Sequence, residues 1–229
     1  MPFIIDYRCP PEAIEKLQAW DDIHYFNAGK IVYPAIGGHP DIFITKIGKQ
    51  LVHAPNTPPD TLRYLQSLNI ELKKGKNAVG FRYPQTAHYN VFIDDKIAVL
   101  SAHTDEVIKD LCTDLEIIEV KQGYIACNLF KIGKSYICSD RGIEKTMLQK
   151  ELPCFYSDPR NIILPGAGNG FIGGTLGIFD EKVLFCGNKN NPTANLLEEI
   201  CKREDKELVY LCHSKIYDLG GIMHLGLKI

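Results

Sequence analysis

Hydrophobic residues in this chain arrive in short runs that recur with the same punctuation. Five segments share it: GGHPDIFITKIGKQLVHAPN (37–56), TAHYNVFIDDKIAVLSAHT (86–104), GYIACNLFKIGKSYICSDR (123–141), GFIGGTLGIFDEKVLFCGN (170–188) and GGIMHLGLKI (220–229). Each opens on small or polar residues and passes into a brief apolar run. In four of them a turn built on Gly or Asp (IGK, DDK, IGK, FDEK) leads into a second apolar run, which predicts a β-hairpin. Behind each complete hairpin, leucine or isoleucine recurs at three- and four-residue steps, the spacing of a helix with one apolar face. These stretches are TLRYLQSL after Thr57-Pro58-Pro59-Asp60, VIKDLC after Thr104-Asp105-Glu106, EKTMLQKE after Arg141-Gly142-Ile143, and ANLLEEICKRE after Asn191-Pro192-Thr193. Proline sits where a first helical turn tolerates it. A short strand follows each helix, at 70–74, 116–121, 154–158 and 207–212.

The two ends of the chain complete the scheme. The start predicts a strand at 3–7, a helix after Pro10-Pro11-Glu12 and a strand at 22–26, while the last segment stops after one strand, at Leu227-Lys228-Ile229. Joined, the ends make a fifth strand–strand–helix–strand unit. The expectation is an α/β fold of five ββαβ units closed in a ring, a device that leaves no exposed sheet edge. Dividing 229 residues by five gives roughly 46 per unit, within the range of toroidal arrays. An open sheet of βαβ units fits less well, because the helices follow hairpins instead of alternating singly with strands. The whole of 1–229 reads as a single domain.

Composition narrows the partners. The formal charge of −2 offers no basic excess for nucleic acid, and no apolar stretch approaches the length of a membrane span. The opening MPFIIDYRCPPEAIEKL lacks the features of a signal peptide, so a cytoplasmic protein is expected. Of the eight cysteines several lie inside apolar runs and none forms a CxxC pair, so they read as reduced, mostly buried thiols. No cofactor and no metal is expected; the expected partner is a small molecule, with no nucleic acid and no membrane.

Five ββαβ units, the last closed by both termini, resemble the pentein or α/β-propeller fold of the guanidine-modifying enzymes: arginine and agmatine deiminases, amidinotransferases and dimethylarginine hydrolases. The resemblance covers nearly the whole chain, and is closest to an uncharacterised bacterial family of that fold. It implies a Cys nucleophile in the last unit, after a Gly-Gly-x-x-His run, and a His followed two residues later by an acid in an earlier unit. The last unit reads Gly220-Gly221-Ile222-Met223-His224-Leu225, with leucine where the nucleophile would stand. The fourth reads Gly170-Phe171-Ile172-Gly173-Gly174-Thr175, with neither His nor acid.

In such a ring the starts of the first strands face the axis. They carry His39 and Asp41, His88 and Asn90, Cys127 and Asn128, Gly174 and Thr175, and His224. A gathering of buried polar groups invites a ligand, a water network or catalysis. The first reading is therefore a binding module for a small polar or cationic ligand, guanidino or amine in type, held by Asp41, His88, Asn90, Asn128 and Thr175. The second is a divergent hydrolase or transferase on C–N bonds, with Cys127 as nucleophile and His39 or His224 beside it. The third is a macromolecule-binding protein resembling the pentein-fold translation factor, against which the absence of a basic cluster weighs. Each residue also has an ordinary structural role: a hydrogen-bonded core histidine, a turn-capping Asp or Asn, an inert buried thiol. The loop Leu164-Pro165-Gly166-Ala167-Gly168-Asn169-Gly170 precedes no helix, so it is no phosphate-binding fingerprint; it reads as a tight approach to a crowded centre.

Overall fold

The structure is a computed structural model that describes residues 1–226. Its strands and helices follow the repeating pattern. The chain opens with β1 (Phe3–Asp6), α1 (Pro11–Gln18) and β2 (Ile23–Phe26). Next come β3 (Ile44–Ile47), β4 (Gln50–His53), α2 (Pro59–Ser67) and β5 (Glu71–Lys74). Then β6 (Phe92–Ile93), β7 (Ile97–Leu100), α3 (Glu106–Leu111) and β8 (Glu116–Glu119). A short helix α4 (Ile125–Asn128) introduces β9 (Leu129–Ile132), β10 (Ser135–Cys138), α5 (Arg141–Gln149) and β11 (Cys154–Tyr156). After β12 (Ile162–Ile163) come β13 (Leu176–Phe179), β14 (Lys182–Phe185), α6 (Pro192–Arg203) and β15 (Glu207–Tyr210), and finally β16 (Ile216–Tyr217) and β17 (Met223–His224).

Five three-stranded sheets share one connectivity: β17-β1-β2, β3-β4-β5, β6-β7-β8, β9-β10-β11 and β13-β14-β15. In each, the first strand runs antiparallel to the second and the second runs parallel to the third. The parallel pair needs a crossover, and the amphipathic helix supplies it. The sheet made from both ends of the chain is present, with Phe3 opposite His224 and Ile4 opposite Met223. The predicted continuation of that strand over Leu227-Lys228-Ile229 lies outside the described residues. The sheets are hydrogen-bonded separately and do not merge into one closed sheet; among the described residues a single isolated bridge, Gly177 to Ile222, links β13 to the residue just before β17.

Local chemistry explains the elements. Gly48 and Gly133 take positive φ (57° and 59°) in the β3–β4 and β9–β10 turns, where L side chains are strained. In the β6–β7 turn Asp94 Oδ1 accepts from the amides of Lys96 and Ile97. Asp105, Asp140 and Asn191 cap α3, α5 and α6 by accepting from first-turn amides, and α1 and α2 begin on Pro11 and Pro59. The helices bury Leu17, Leu65, Ile108, Met147 and Leu197 against middle strands such as β1, β7 and β10, every residue of which is buried. Each such side chain contributes about 1.5–3 kcal/mol.

Two features depart from the sequence reading. The residues before β3, β9 and β13 coil into short helical turns, at Pro40–Ile42, Ile125–Asn128 and Gly173–Thr175, where plain strand starts were expected. With no neighbouring strand to pair with there, the backbone satisfies itself locally. The parallel pair β12–β16 has no counterpart in the repeat and was not foreseen. All eight cysteines are free and buried. Among the described residues no helix is long and apolar enough to cross a membrane.

Candidate functional site

The helical turns deliver polar side chains from distant parts of the sequence to one place. Pro40 starts a turn that sets His39 and Asp41 close together, and α4 brings up Cys127; the candidate ligand atoms of these three lie within 4.8 Å of one another, all buried. The Cys127 thiol donates to Asp41 Oδ2 at 2.9 Å. Asn90 fastens both: Nδ2 donates to Cys127 Sγ (3.2 Å) and to the Asp41 carbonyl (3.4 Å), and Oδ1 accepts from the Cys127 amide (3.3 Å).

Two further carboxylates stand over His39. Nε2 is 3.9 Å from Asp6 Oδ2 and 3.8 Å from Asp218 Oδ1. Asp6 ends β1 and is clasped by Arg8, whose Nε donates to Oδ1 at 2.9 Å and whose guanidinium also donates to the carbonyls of Pro34 and Ala35. Asp218 accepts from the amides of Gly220 (3.0 Å) and Phe171 (2.8 Å). The glycine-rich loop thus ends beside the site, and the backbone of its neighbours holds one of the acids.

The electrostatics follow from burial. Loss of water pushes the Asp41 carboxyl up to about 6, with His39 and the hydrogen bonds from Cys127 and Asn90 working the other way. Burial likewise raises Asp218, against His39 and its two amide donors. The Cys127 thiol is pushed well above its ordinary value by burial and then by the negative charges of Asp41 and Asp218. The hydrogen bond to Asp6 raises the Arg8 guanidinium. Both ring nitrogens of His39 and Oδ1 of Asp41 are buried without a hydrogen-bond partner.

Asp41 lies at a cleft of about 230 Å³ lined also by Thr45, Tyr89, Ala126, Gly173 and Gly221. The cleft shares Lys46, Phe92, Ile93 and Phe130 with a wider cavity of about 900 Å³, whose rim carries Asp94, Lys131 and Lys206.

Of the residues singled out from the sequence, His39, Asp41, Asn90 and Cys127 come together. Asn128 is adjacent but turned back: Nδ2 donates to the Tyr124 carbonyl, and Oδ1 is buried and unpartnered. The Thr175 hydroxyl is consumed by the Ile172 carbonyl. His88 points elsewhere, its Nδ1 on the His103 carbonyl. His224 reaches Asp21 at 3.2 Å and packs against Phe3 and Phe179, facing the wider cavity. Leu225 is buried in an apolar cluster with Ile4, Phe26 and Phe43. The sequence reading missed Asp6, Arg8 and Asp218. The available signals were an acid closing the apolar strand FIID and an acid just before Gly220-Gly221. It also sought the His-x-acid pair in the fourth unit, whereas His39-Pro40-Asp41 is such a pair, ahead of β3.

The fold is similar to SxtG, an amidinotransferase from Microseira wollei in the saxitoxin biosynthetic pathway, with TM-score 0.58 and 11% identity over 93% of this chain and 88% of that one. It is similar to DDAH from Pseudomonas aeruginosa, complexed with citrulline, with TM-score 0.58 and 9% identity over 96% and 95%. It is also similar to agmatine deiminase from C. jejuni with substrate bound, with TM-score 0.56 and 8% identity over 92% and 87%. These likenesses define a pentein fold. By sequence the chain belongs to the family of unknown function DUF6873, whose model matches residues 4–223. No curated protein matches it by sequence.

Proposed function

We propose that the protein binds a small cationic ligand, guanidino or amine in type, over Asp41. One observation carries this reading: a buried carboxylate beside the cleft has an oxygen, Oδ1, with no hydrogen-bond partner. Such an orphaned acceptor costs about 1–3 kcal/mol. An amidinium or ammonium group satisfies it with a charge-assisted hydrogen bond and supplies the opposite charge that burial demands. Asp6 and Asp218 deepen the negative potential behind it. In this reading the five sheets stand as blades of a closed ring with Asp41 near its axis, and the whole chain is one domain.

The alternative, a hydrolase or transferase on C–N bonds with Cys127 as nucleophile, requires a thiolate. Burial and the facing Asp41 keep the proton on sulfur, which favours binding over catalysis. A macromolecule-binding role finds no support in the net charge of −2.

A thermal-shift series with arginine, agmatine and simpler amines tests the reading. The expected result is a melting temperature that rises with ligand concentration, as mass action requires, and that no longer responds in Asp41→Asn. Folded wild-type protein indifferent to every amine overturns the proposal, as does an undiminished response in Asp41→Asn.

A further inference from the structure

We infer that His39, Asp41 and Cys127 form a binding site for a divalent cation of borderline softness, zinc in type. One nitrogen, one oxygen and one sulfur donor lie within 4.8 Å of one another in the interior. Zinc takes this mixture of ligands at bonds of about 2.0–2.3 Å, which sets tetrahedral ligand atoms roughly 3.3–3.8 Å apart. The atoms farthest apart need to close by about 1.5 Å at most to reach that spacing.

A second observation points to a ligand independently of the clustering. His39 is fully buried, and neither ring nitrogen has a hydrogen-bond partner. A neutral imidazole carries one donor and one lone pair, and leaving these unmet in the interior costs about 1–3 kcal/mol for each. Oδ1 of Asp41 is unmet in the same place. A cation among these atoms takes up a lone pair from each residue at once.

The surroundings suit the charge. Asp6 is balanced by Arg8, and Asp218 accepts from two amides, whereas the Asp41 carboxylate accepts from the Cys127 thiol at Oδ2 and is unmet at Oδ1. Asn90 Nδ2 already donates to Cys127 Sγ, the hydrogen bond that supports a metal thiolate. Asp6 and Asp218 lie 3.9 and 3.8 Å from Nε2, so a shift of about 0.6 Å lets Nε2–H donate to a carboxylate while Nδ1 takes the metal, the support that metal-bound histidines have. On binding, the bond between sulfur and its proton breaks, the sulfur lone pair goes to the metal, and the proton leaves to solvent. Three protein ligands leave a fourth tetrahedral position for an exogenous group, and the cleft that Asp41 lines lies alongside.

The test is a titration of the metal-free, full-length protein with Co(II), followed by competition with Zn(II). The expected result is one ion per chain, about one proton released, and a thiolate-to-cobalt charge-transfer band that zinc abolishes. The band is expected to vanish in Cys127→Ser, and the affinity to fall at least about tenfold in Asp41→Asn and His39→Gln. Absence of the band in folded wild-type protein overturns the proposal, and so does its persistence in Cys127→Ser, which would assign it to another of the cysteines. Should Cys127→Ser fail to fold, as circular dichroism would show, an unchanged affinity in folded Asp41→Asn overturns it equally. This site rests on Asp41 as the amine reading does, yet is tested apart from it: the cobalt band reads the Cys127 thiolate and the thermal shift reads amines, so a band without amine stabilisation sinks only the amine reading and amine stabilisation without a band sinks only this one.

Discussion

Cys127 and Asp41, 86 residues apart in the chain, meet through a 2.9 Å hydrogen bond from Sγ to Oδ2 in the protein interior. A thiol that donates to a buried acid holds its proton, and all eight cysteines are buried away from reagents in solution. The metal-free protein is therefore expected to resist iodoacetamide at neutral pH under native conditions. All eight thiols should become reactive together on unfolding, as peptide mapping by mass spectrometry would reveal. Rapid native labelling of Cys127 would contradict the geometry and return the nucleophile reading to favour.

Asp94 ties two sheets together and sets an acid limit on stability. Its Oδ1 accepts from the amides of Lys96 and Ile97, and its Oδ2 from Lys131 (2.7 Å) and the Tyr136 hydroxyl (3.0 Å) on the next sheet. Burial pushes its carboxyl up, but Lys131, the two amides and Tyr136 outweigh burial and hold it below the ordinary 3.8. A depressed folded value means that the contribution is fully present above about pH 3.8 and is lost as pH falls through the folded value. Asp94→Ala is expected to cost about 1–3 kcal/mol at pH 7. In urea melts the gap between wild type and variant should narrow below pH 4; a gap that widens in acid would refute this account.

The site's acids leave no room beside two glycines. A Cβ on Gly38 would lie 1.9 Å from Asp6 Oδ1, and one on Gly174 would lie 1.8 Å from Asp218 Oδ1. Gly38→Ala and Gly174→Ala are each expected to destabilise by more than about 2 kcal/mol, because the displaced carboxylates are buried and hydrogen-bonded. Gly168, in the same loop region, has open space around it, so Gly168→Ala should sit within about 0.5 kcal/mol of wild type. Equal effects at all three would mean that the packing around the acids is not what constrains these positions.

Leu225 occupies the place where the resemblance to guanidine-modifying enzymes puts a nucleophile, yet it is only 2% exposed and packs in the apolar cluster. Leu225→Ala is expected to cost about 2–5 kcal/mol by leaving a cavity. Leu225→Cys should yield a protein in which the new thiol is as inert to iodoacetamide as the native eight. Fast labelling at 225 would place that side chain in the cleft instead.

The repeat was legible because it is a matter of local spacing. Hairpin turns such as Ile47-Gly48-Lys49, helix-opening residues such as Asn191, and leucines at helical steps each act within a few residues, and each is where the pattern put it. Four of the site residues, His39, Asp41, Asn90 and Cys127, were also legible, since polar side chains at equivalent points of a repeat are exposed by comparing the repeats. Asp6 and Arg8 were not, because a strand-ending acid two residues before an arginine looks like any surface ion pair. The segment at 34–39 is what makes them part of the site: the Pro34 and Ala35 carbonyls accept from Arg8, and His39 faces Asp6. His88 and His224 were equally prominent in the sequence, but rotamer and register decide what a side chain meets, and these two meet the His103 carbonyl and Asp21.

Sequence periodicity thus settles five ββαβ units and the joining of the two termini in one sheet, because hydrogen-bond ladders and amphipathic faces are written in short-range order. Which polar groups share the interior is settled by the assembled molecule alone. Asp6, His39, Asp41, Asn90, Cys127 and Asp218 come from five separate segments, and the protonation of Asp41, Cys127 and Asp218 depends on the water they lose and the charges they face once those segments pack together.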